Sequence, residues 1–114
     1  MLIHTNSCRR EQVTGAFGGE GLLTIAHLLD DAQLGGTLSF CVVMTFAPGA
    51  SAGFHYHVKD AEVYVILQGN GDFDDNGTTV PIGPGDITYT AAGEGHAIAN
   101  TGTEDLVLLA FITK

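Results

Sequence analysis

The density of glycine is the feature that most limits what this chain can fold into. Glycine occupies 16 of the 114 positions, which is about twice the usual share of roughly 7%. Only 3 prolines accompany the glycines and no stretch has low complexity, so the glycines indicate frequent turns rather than disorder. The segments between these turns are short, which favours a chain of short strands.

These segments alternate between apolar and polar residues. Residues 37–46 place apolar side chains on one face and mostly smaller or polar ones on the other, which is the two-residue period of a β-strand. The apolar face consists of Leu38, Phe40, Val42, Met44 and Phe46. Similar patterns predict strands over residues 22–29, 53–58, 62–67, 78–82, 87–90, 97–100 and 106–113. The sequence therefore predicts an all-β fold of about eight to ten strands, arranged as a two-sheet jelly roll or a barrel.

The length of the chain allows one compact core and no cleft between two lobes. We expect a single domain over residues 21–114, preceded by an arm over residues 1–20 that contains the irregular Gly18-Gly19. Residues 1–5 are strand-like and could pair with a second copy across a two-fold axis, because a small sandwich has open sheet edges. The expectation is a homodimer whose arm is either exchanged between partners or folded on its own barrel.

The charge balance excludes several classes of partner. The chain has 4 basic and 13 acidic residues, for a net charge of −9, and so few cations do not support binding to a nucleic-acid backbone. The basic residues are Arg9, Arg10, Lys59 and Lys114. No apolar run approaches the roughly 18 residues of a membrane span, and the N-terminus lacks the pattern of a secretory signal. We expect a soluble, cytoplasmic protein that binds neither nucleic acid nor membrane.

The cysteines and one of the histidines have structural interpretations. Cys8 and Cys41 cannot form a disulfide framework, and Cys41 lies within an apolar run over residues 40–44. We expect a buried structural thiol at Cys41. His27 also lies in an apolar segment, which predicts a hydrogen-bonded histidine in the core or at an interface.

Three histidines and one glutamate have the spacing of a metal site. His55 and His57 are two positions apart in a predicted strand, where such side chains point to the same face about 6.5 Å apart. Glu62 begins the next strand, where the returning chain meets the same pocket, and His96 begins a later strand after a turn. Three imidazoles and a carboxylate suit Fe(II), Mn(II), Ni(II), Zn(II) or Cu(II), with positions left open for water or a ligand. We expect one such divalent ion per chain.

The same residues fall within two motifs that resemble those of the cupin superfamily. Their order and spacing are Gly49-x5-His55-x-His57-x4-Glu62-x6-Gly69 and then Gly85-x5-Ala91-x-Gly93-x2-His96-x3-Asn100. Ala91 stands where the family pattern has proline, and every metal-ligand position is filled. The resemblance is to small single-domain prokaryotic cupins. It implies a jelly-roll β-barrel, or double-stranded β-helix, with a metal ion inside bound by His55, His57, Glu62 and His96.

The surroundings of the ion suggest what it binds. A 2+ ion with three neutral imidazoles and one carboxylate leaves a local charge of about +1, which favours an oxygen-donor anion or a chelating enol. Recognition of phosphates and carboxylates usually uses Lys or Arg, and between residues 11 and 114 the only such side chain is Lys59. We expect a small, unphosphorylated ligand that chelates through oxygen. Its apolar remainder is expected to lie against Phe40, Met44, Tyr64 and Ile66.

The fold and the ligand set do not select a reaction. Our first hypothesis is a metal-dependent enzyme of the dioxygenase, decarboxylase, isomerase or lyase type, in which Glu62 or Tyr64 moves a proton. Tyr64 can also be interpreted as a pocket-wall aromatic with a satisfied hydroxyl. The alternative is a non-catalytic, metal-dependent module that binds or senses a small molecule. A third interpretation, a purely structural barrel, predicts no stoichiometric metal.

Overall fold

The computed structural model describes residues 1–114, which form two antiparallel β-sheets and little helix. The strands are β1 (Arg9–Thr14), β2 (Leu22–His27), β3 (Leu38–Phe46), β4 (Ser51–Tyr56), β5 (Glu62–Gln68), β6 (Gly71–Asp75), β7 (Thr78–Ile82), β8 (Ile87–Thr90), β9 (Gly95–Asn100) and β10 (Leu106–Thr113). A one-turn helix, α1, spans Asp31–Leu34, and 3-10 turns span Thr5–Ser7 and Ala16–Gly18. None of these helical segments is long and apolar enough to cross a membrane.

The core lies between the two sheets. One sheet has six strands in the order β1-β2-β3-β10-β5-β8, and the other has four in the order β4-β9-β6-β7. From β3 to β10 the chain changes sheet at every connection except the hairpin between β6 and β7. This path is the predicted double-stranded β-helix. The apolar cluster between the sheets includes Val42, Phe46, Ile66, Ile98 and Leu108, each at most 2% exposed.

All eight segments predicted from residue alternation are strands. In β3, Val42, Met44 and Phe46 are buried while the residues between them are less so, which confirms the predicted apolar face. The segment predicted over residues 53–58 differs at its ends, because β4 begins earlier and stops before His57. Its pairing with β9 is irregular between Ala52 and His55. An extra residue of this kind re-aims the side chains that follow it, and the alternation pattern alone does not predict it.

The residue pattern did not predict β1, β6 or α1. β1 is exposed along almost its whole length, so it carries no apolar alternation. In β6, the acidic residues that flank Phe73 look like a turn, although Phe73 is buried. α1 is held by a capping box, in which Asp30 accepts a hydrogen bond from the Gln33 backbone while the Gln33 side chain accepts one from the Asp30 backbone. This pairing is a known helix-start signal.

The N-terminal segment adds a strand to the larger sheet. β1 pairs with β2 of the same chain in antiparallel register, from Arg9 opposite His27 to Thr14 opposite Leu22. Residues 1–4 form no regular structure. The strand-like character predicted for residues 1–5 is therefore not expressed as a strand in this structure.

The cysteines and His27 lie outside the barrel interior. Cys8 and Cys41 are free and partly exposed, so the burial predicted for Cys41 is only partial. Cys41 points to the face of β3 opposite Val42, where burial is still sufficient to raise the pKa of its thiol. His27 Nε2 lies 2.6 Å from Glu11 Oε1 on the neighbouring strand. The predicted hydrogen bond of His27 is thus present.

Candidate metal centre

The four predicted metal ligands meet between the two sheets. β4 and β9 are neighbours in the four-stranded sheet, and their register places His55 opposite His96. His57 follows the end of β4, and Glu62 is the first residue of β5 in the other sheet. One ligand atom from each residue lies within 4.8 Å of those of the other three. The fold therefore assembles a single site from residues that are far apart in the sequence.

The ligand atoms are spaced as they would be around one ion. His96 Nε2 lies 3.1 Å from His55 Nε2, 3.2 Å from His57 Nε2 and 3.1 Å from Glu62 Oε1. Neighbouring ligands of an ion with bonds of about 2.1 Å at right angles are themselves about 3.0 Å apart. Lone pairs on converging imidazole nitrogens repel one another unless a cation or a proton lies between them. The arrangement therefore fits a divalent metal ion.

Each histidine is oriented by a hydrogen bond from its other ring nitrogen. His55 Nδ1 donates to the Gly53 carbonyl and His57 Nδ1 donates to Asp60 Oδ1, both over 2.8 Å. His96 Nδ1 lies 2.8 Å from the hydroxyl oxygen of Thr90. When Nδ1 carries the proton, the lone pair of the neutral ring is on Nε2, and such partners fix both ring plane and tautomer in metal sites. All three Nε2 atoms can therefore direct a lone pair at one ion.

Burial and charge also favour a bound cation. The Glu62 carboxylate is buried, and so are the rings of His57 and His96. Burial lowers the pKa of His55, which favours the neutral imidazole that a metal requires. An isolated buried carboxylate is costly unless it is paired with a positive charge. A bound 2+ ion would supply that charge and would polarise an oxygen donor placed on it.

An apolar cavity of about 770 Å³ opens onto the ligands. His55, His57 and Glu62 lie on its wall, whereas His96 is only 1% exposed and lies behind them. Four side-chain ligands fill part of the coordination shell of an octahedral ion, so further positions remain for water or a ligand. The cavity is the space from which such a ligand would reach the ion.

Three of the four residues predicted to contact a ligand lie on this cavity. Phe40, Met44 and Tyr64 line its wall. Ile66 does not, because it lies one alternation farther along β5 and is buried in the apolar core. On β5 the residues predicted to contact a ligand therefore reach the cavity at Tyr64 but not at Ile66.

Tyr64 is held against the metal ligands. Its ring stacks on that of His96, with centroids 5.0 Å apart and planes 20° apart. Burial and the nearby Glu62 carboxylate raise the pKa of Tyr64 well above its ordinary value. Its hydroxyl is therefore suited to donate a proton in a hydrogen bond rather than to act as a base. Glu62, the other predicted proton carrier, lies among the ligand atoms, 3.1 Å from His57 Nε2.

Sequence reasoning missed most of the cavity wall, including Phe17 and Lys59. Phe17 belongs to the irregular glycine-rich stretch, whose sequence gives no sign of where it packs. Lys59 lies in a bend between β4 and β5, and this bend lies at the cavity. The cavity wall therefore carries one cationic side chain that could face an anionic ligand. The contact of Asp60 with His57 was also missed, although its closeness in sequence to both His57 and Glu62 was a usable signal.

We expect Asp60→Ala to weaken metal binding by about 10- to 100-fold, because the His57 ring loses the acceptor that fixes its plane and tautomer. Competition with a chromogenic chelator measures the affinity. Asp105→Ala is the matched control, since it removes the same charge from an exposed loop position. Equal affinities in the Asp60 and Asp105 variants would show that Asp60 does not orient His57.

The fold and the site together define a class: a double-stranded β-helix with three histidines and one glutamate inside the barrel that could hold a metal ion. The cupin domain family model matches residues 42–112. This chain belongs to the cupin family.

The chain is also similar to individual cupins. It is 39% identical over 112 residues to the oxalate-binding protein of Thermotoga maritima. The aligned residues cover 98% of this chain and 93% of that protein. The crystal structure of a predicted oxalate decarboxylase from Thermotoga maritima superposes with a TM-score of 0.96 at 39% identity, over 99% of this chain and 98% of that one. The polyketide cyclase RemF from Streptomyces resistomycificus has a TM-score of 0.82 at 19% identity, over 99% of this chain and 78% of that one. This last likeness concerns the fold alone.

Proposed function

We propose that this protein holds one divalent metal ion on His55, His57, Glu62 and His96 and binds a small, unphosphorylated ligand directly on that ion through oxygen atoms. One observation carries the proposal: three of the four ligands lie on the wall of an apolar cavity while the fourth lies behind them. Open positions on the ion would therefore face the cavity. The first candidate ligand is oxalate, since a relative with 39% identity is named an oxalate-binding protein.

The chemistry of the site supports an oxygen chelator. Three neutral imidazoles, one carboxylate and a 2+ ion carry a local charge of about +1, which attracts an anion despite the net charge of −9. Two oxygens on one ligand can occupy two neighbouring positions of an octahedral ion. The cavity of about 770 Å³ also leaves room for a chelator with an apolar body. Phe40 and Met44 would contact that body.

A second candidate function is turnover of the bound ligand, as in a dioxygenase, decarboxylase, isomerase or lyase. The observation that favours it is Tyr64, a buried tyrosine that lines the cavity and stacks on one of the metal ligands. Its hydroxyl could donate a hydrogen bond to a ligand held on the ion and stabilise negative charge that develops during a reaction. Incubation of the metal-loaded protein with each ligand, followed by product analysis with and without dioxygen, separates turnover from binding. Unchanged ligand under both conditions would favour the binding module.

Thermal-shift measurements on metal-loaded and metal-free protein test the proposed function. The panel contains oxalate, malonate, a diketone, a catechol and a sugar phosphate. We expect oxalate or another of the first four compounds to stabilise the loaded protein and to leave the metal-free protein unchanged. Stabilisation by the sugar phosphate alone would contradict an unphosphorylated ligand. Stabilisation that does not require the metal would contradict direct binding on the ion.

Lys59 provides a charge test of an anionic ligand. It is the only Lys or Arg on the cavity wall and forms no ion pair with a carboxylate of this chain. We expect Lys59→Glu to weaken oxalate binding about tenfold, mainly through slower association, because charges at the rim of a site steer an anion towards it. Stopped-flow titration of the loaded protein measures both rates. Lys114→Glu makes the same change at the C-terminus, and an equal loss in both variants would show that only net charge matters.

We also propose that the protein is a cytoplasmic homodimer. The exposed apolar side chains of Met1 and Leu2 support an N-terminal contact with a second copy. Light scattering on the eluting peak of a gel-filtration column measures the mass. A monomer at micromolar concentration would contradict the dimer, and it would leave the metal site of each chain complete.

A further inference from the structure

A strained aromatic residue stands at the entrance of the metal cavity. Phe17 lies in a 3-10 turn with φ +50°, and only one other non-glycine residue, Asn76, has a positive φ. Aromatic side chains rarely adopt this left-handed conformation. The Phe17 side chain is also 66% exposed, so burial in the core does not explain why it is held there. Such strain is retained where the surrounding structure imposes it, and it is common at functional sites.

Strand β4 imposes this conformation on the turn. A Cβ atom on Gly53 would lie 2.1 Å from the Phe17 carbonyl oxygen, so the turn packs directly on the backbone of β4 at a position only glycine allows. At the base of the turn, Ser51 N donates to Glu20 O over 2.7 Å and Glu20 N donates to Ser51 Oγ over 2.9 Å. These contacts fix the turn against the strand that carries His55.

The Phe17 ring then covers one face of a metal ligand. The rings of Phe17 and His55 are stacked, with centroids 3.8 Å apart and planes 12° apart. Gly53, which admits the turn, also accepts the hydrogen bond from His55 Nδ1. The imidazole is thus held in its plane by a hydrogen bond at its edge and by an aromatic ring on its face. An imidazole bound to a 2+ ion is electron-poor, and the negative face of a phenyl ring attracts it.

We propose that Phe17 is a positioning residue of the metal centre, which acts through His55 to keep the bound ion in place. His55 is the ligand that most needs such support, because it is the only one of the four that is not buried. The covering ring keeps water from the exposed face of this imidazole and restricts its rotation. The inference rests on the proposed function, since it requires a metal ion on His55.

The experiment measures the rate at which Co²⁺ leaves the loaded protein after excess EDTA is added. Phe17→Leu keeps apolar bulk without an aromatic face, Phe17→Gly removes the ring and relieves the positive φ, and Phe17→Tyr keeps the stacked ring. Tyr89→Leu is the matched control, because Tyr89 is 63% exposed and does not line this cavity. The visible absorption of Co²⁺ reports its coordination, and thermal melts of the metal-free proteins report the fold.

We expect Co²⁺ to leave the Leu and Gly variants about tenfold faster, in the range found when outer partners of metal ligands are removed. The Tyr variant and the Tyr89 control should release it at about the rate of the unmodified protein. The metal-free Phe17→Gly protein should melt no lower than the unmodified metal-free protein, because a strained residue has been replaced by glycine. Release at the original rate in both the Leu and Gly variants would overturn the inference. The inference would also be overturned if the metal-free Phe17 variants melted at lower temperatures in proportion to their faster release of Co²⁺, because loss of fold stability would then explain the release. Failure of the unmodified protein to bind Co²⁺ would instead contradict the proposed function.

Discussion

The double variant His55→Ala/His57→Ala is expected to bind a divalent metal at least about 1,000-fold more weakly than the unmodified protein. Loss of a single outer partner of a ligand already costs 10- to 100-fold, and this variant removes two of four ligand side chains. The remaining pair, Glu62 and His96, leaves most of the coordination shell to water. Elemental analysis of protein purified without chelator should give about one ion per unmodified chain and almost none per variant chain.

The control for this variant removes two histidines that lie elsewhere. His4→Ala/His27→Ala changes residues outside the metal cavity, so its metal content should stay at about one ion per chain. Circular dichroism establishes that both double variants keep their strands. A folded His55→Ala/His57→Ala protein with full metal content would mean that the ion is bound elsewhere.

Removal of the metal is expected to lower the melting temperature by more than about 10 °C. An ion that binds only the folded state, present at 1,000 times its dissociation constant, stabilises that state by about 4 kcal/mol. In a domain slightly longer than about 100 residues each kcal/mol corresponds to about 4 °C. Metal-free protein also leaves the Glu62 carboxylate buried without the cation that offsets its burial. Melts before and after dialysis against EDTA measure the difference.

The loss should be reversible and specific to the site. Addition of Mn²⁺, Co²⁺, Ni²⁺ or Zn²⁺ to the dialysed protein should restore the melting temperature. The same additions should leave the His55→Ala/His57→Ala variant unchanged, because it lacks two ligands. Equal melting temperatures with and without metal in the unmodified protein would contradict a site that is coupled to folding.

The strands that could be predicted are those that bury one face. In β3 the side chains of Val42, Met44 and Phe46 are packed in the core, so burial imposes an alternation that is visible in the sequence. β1 lies at a sheet edge with both faces largely exposed, and nothing in its packing requires apolar residues at every second position. The position of β1 beside β2 follows from backbone hydrogen bonds, which leave little trace in the residue types.

The metal ligands could be predicted because their chemistry restricts both residue type and spacing. His55 and His57, two positions apart, and Glu62 at the start of the next strand were found in this way. Residues that act on the site by packing could not be predicted, because the sequence does not show where an apolar side chain such as Phe17 packs. Ile66 marks a second limit, because alternation correctly predicts the inward face of β5 but does not show where along that face the cavity ends.

Calorimetric titration of oxalate into metal-loaded protein, metal-free protein and the metal-depleted His55→Ala/His57→Ala variant tests the central claim most directly. If the ion on the four ligands binds the ligand, the loaded protein should take up one oxalate per bound metal ion. The metal-free protein and the variant should show no uptake. Equal binding of oxalate by loaded and metal-free protein, or binding that survives in the variant, would contradict the claim.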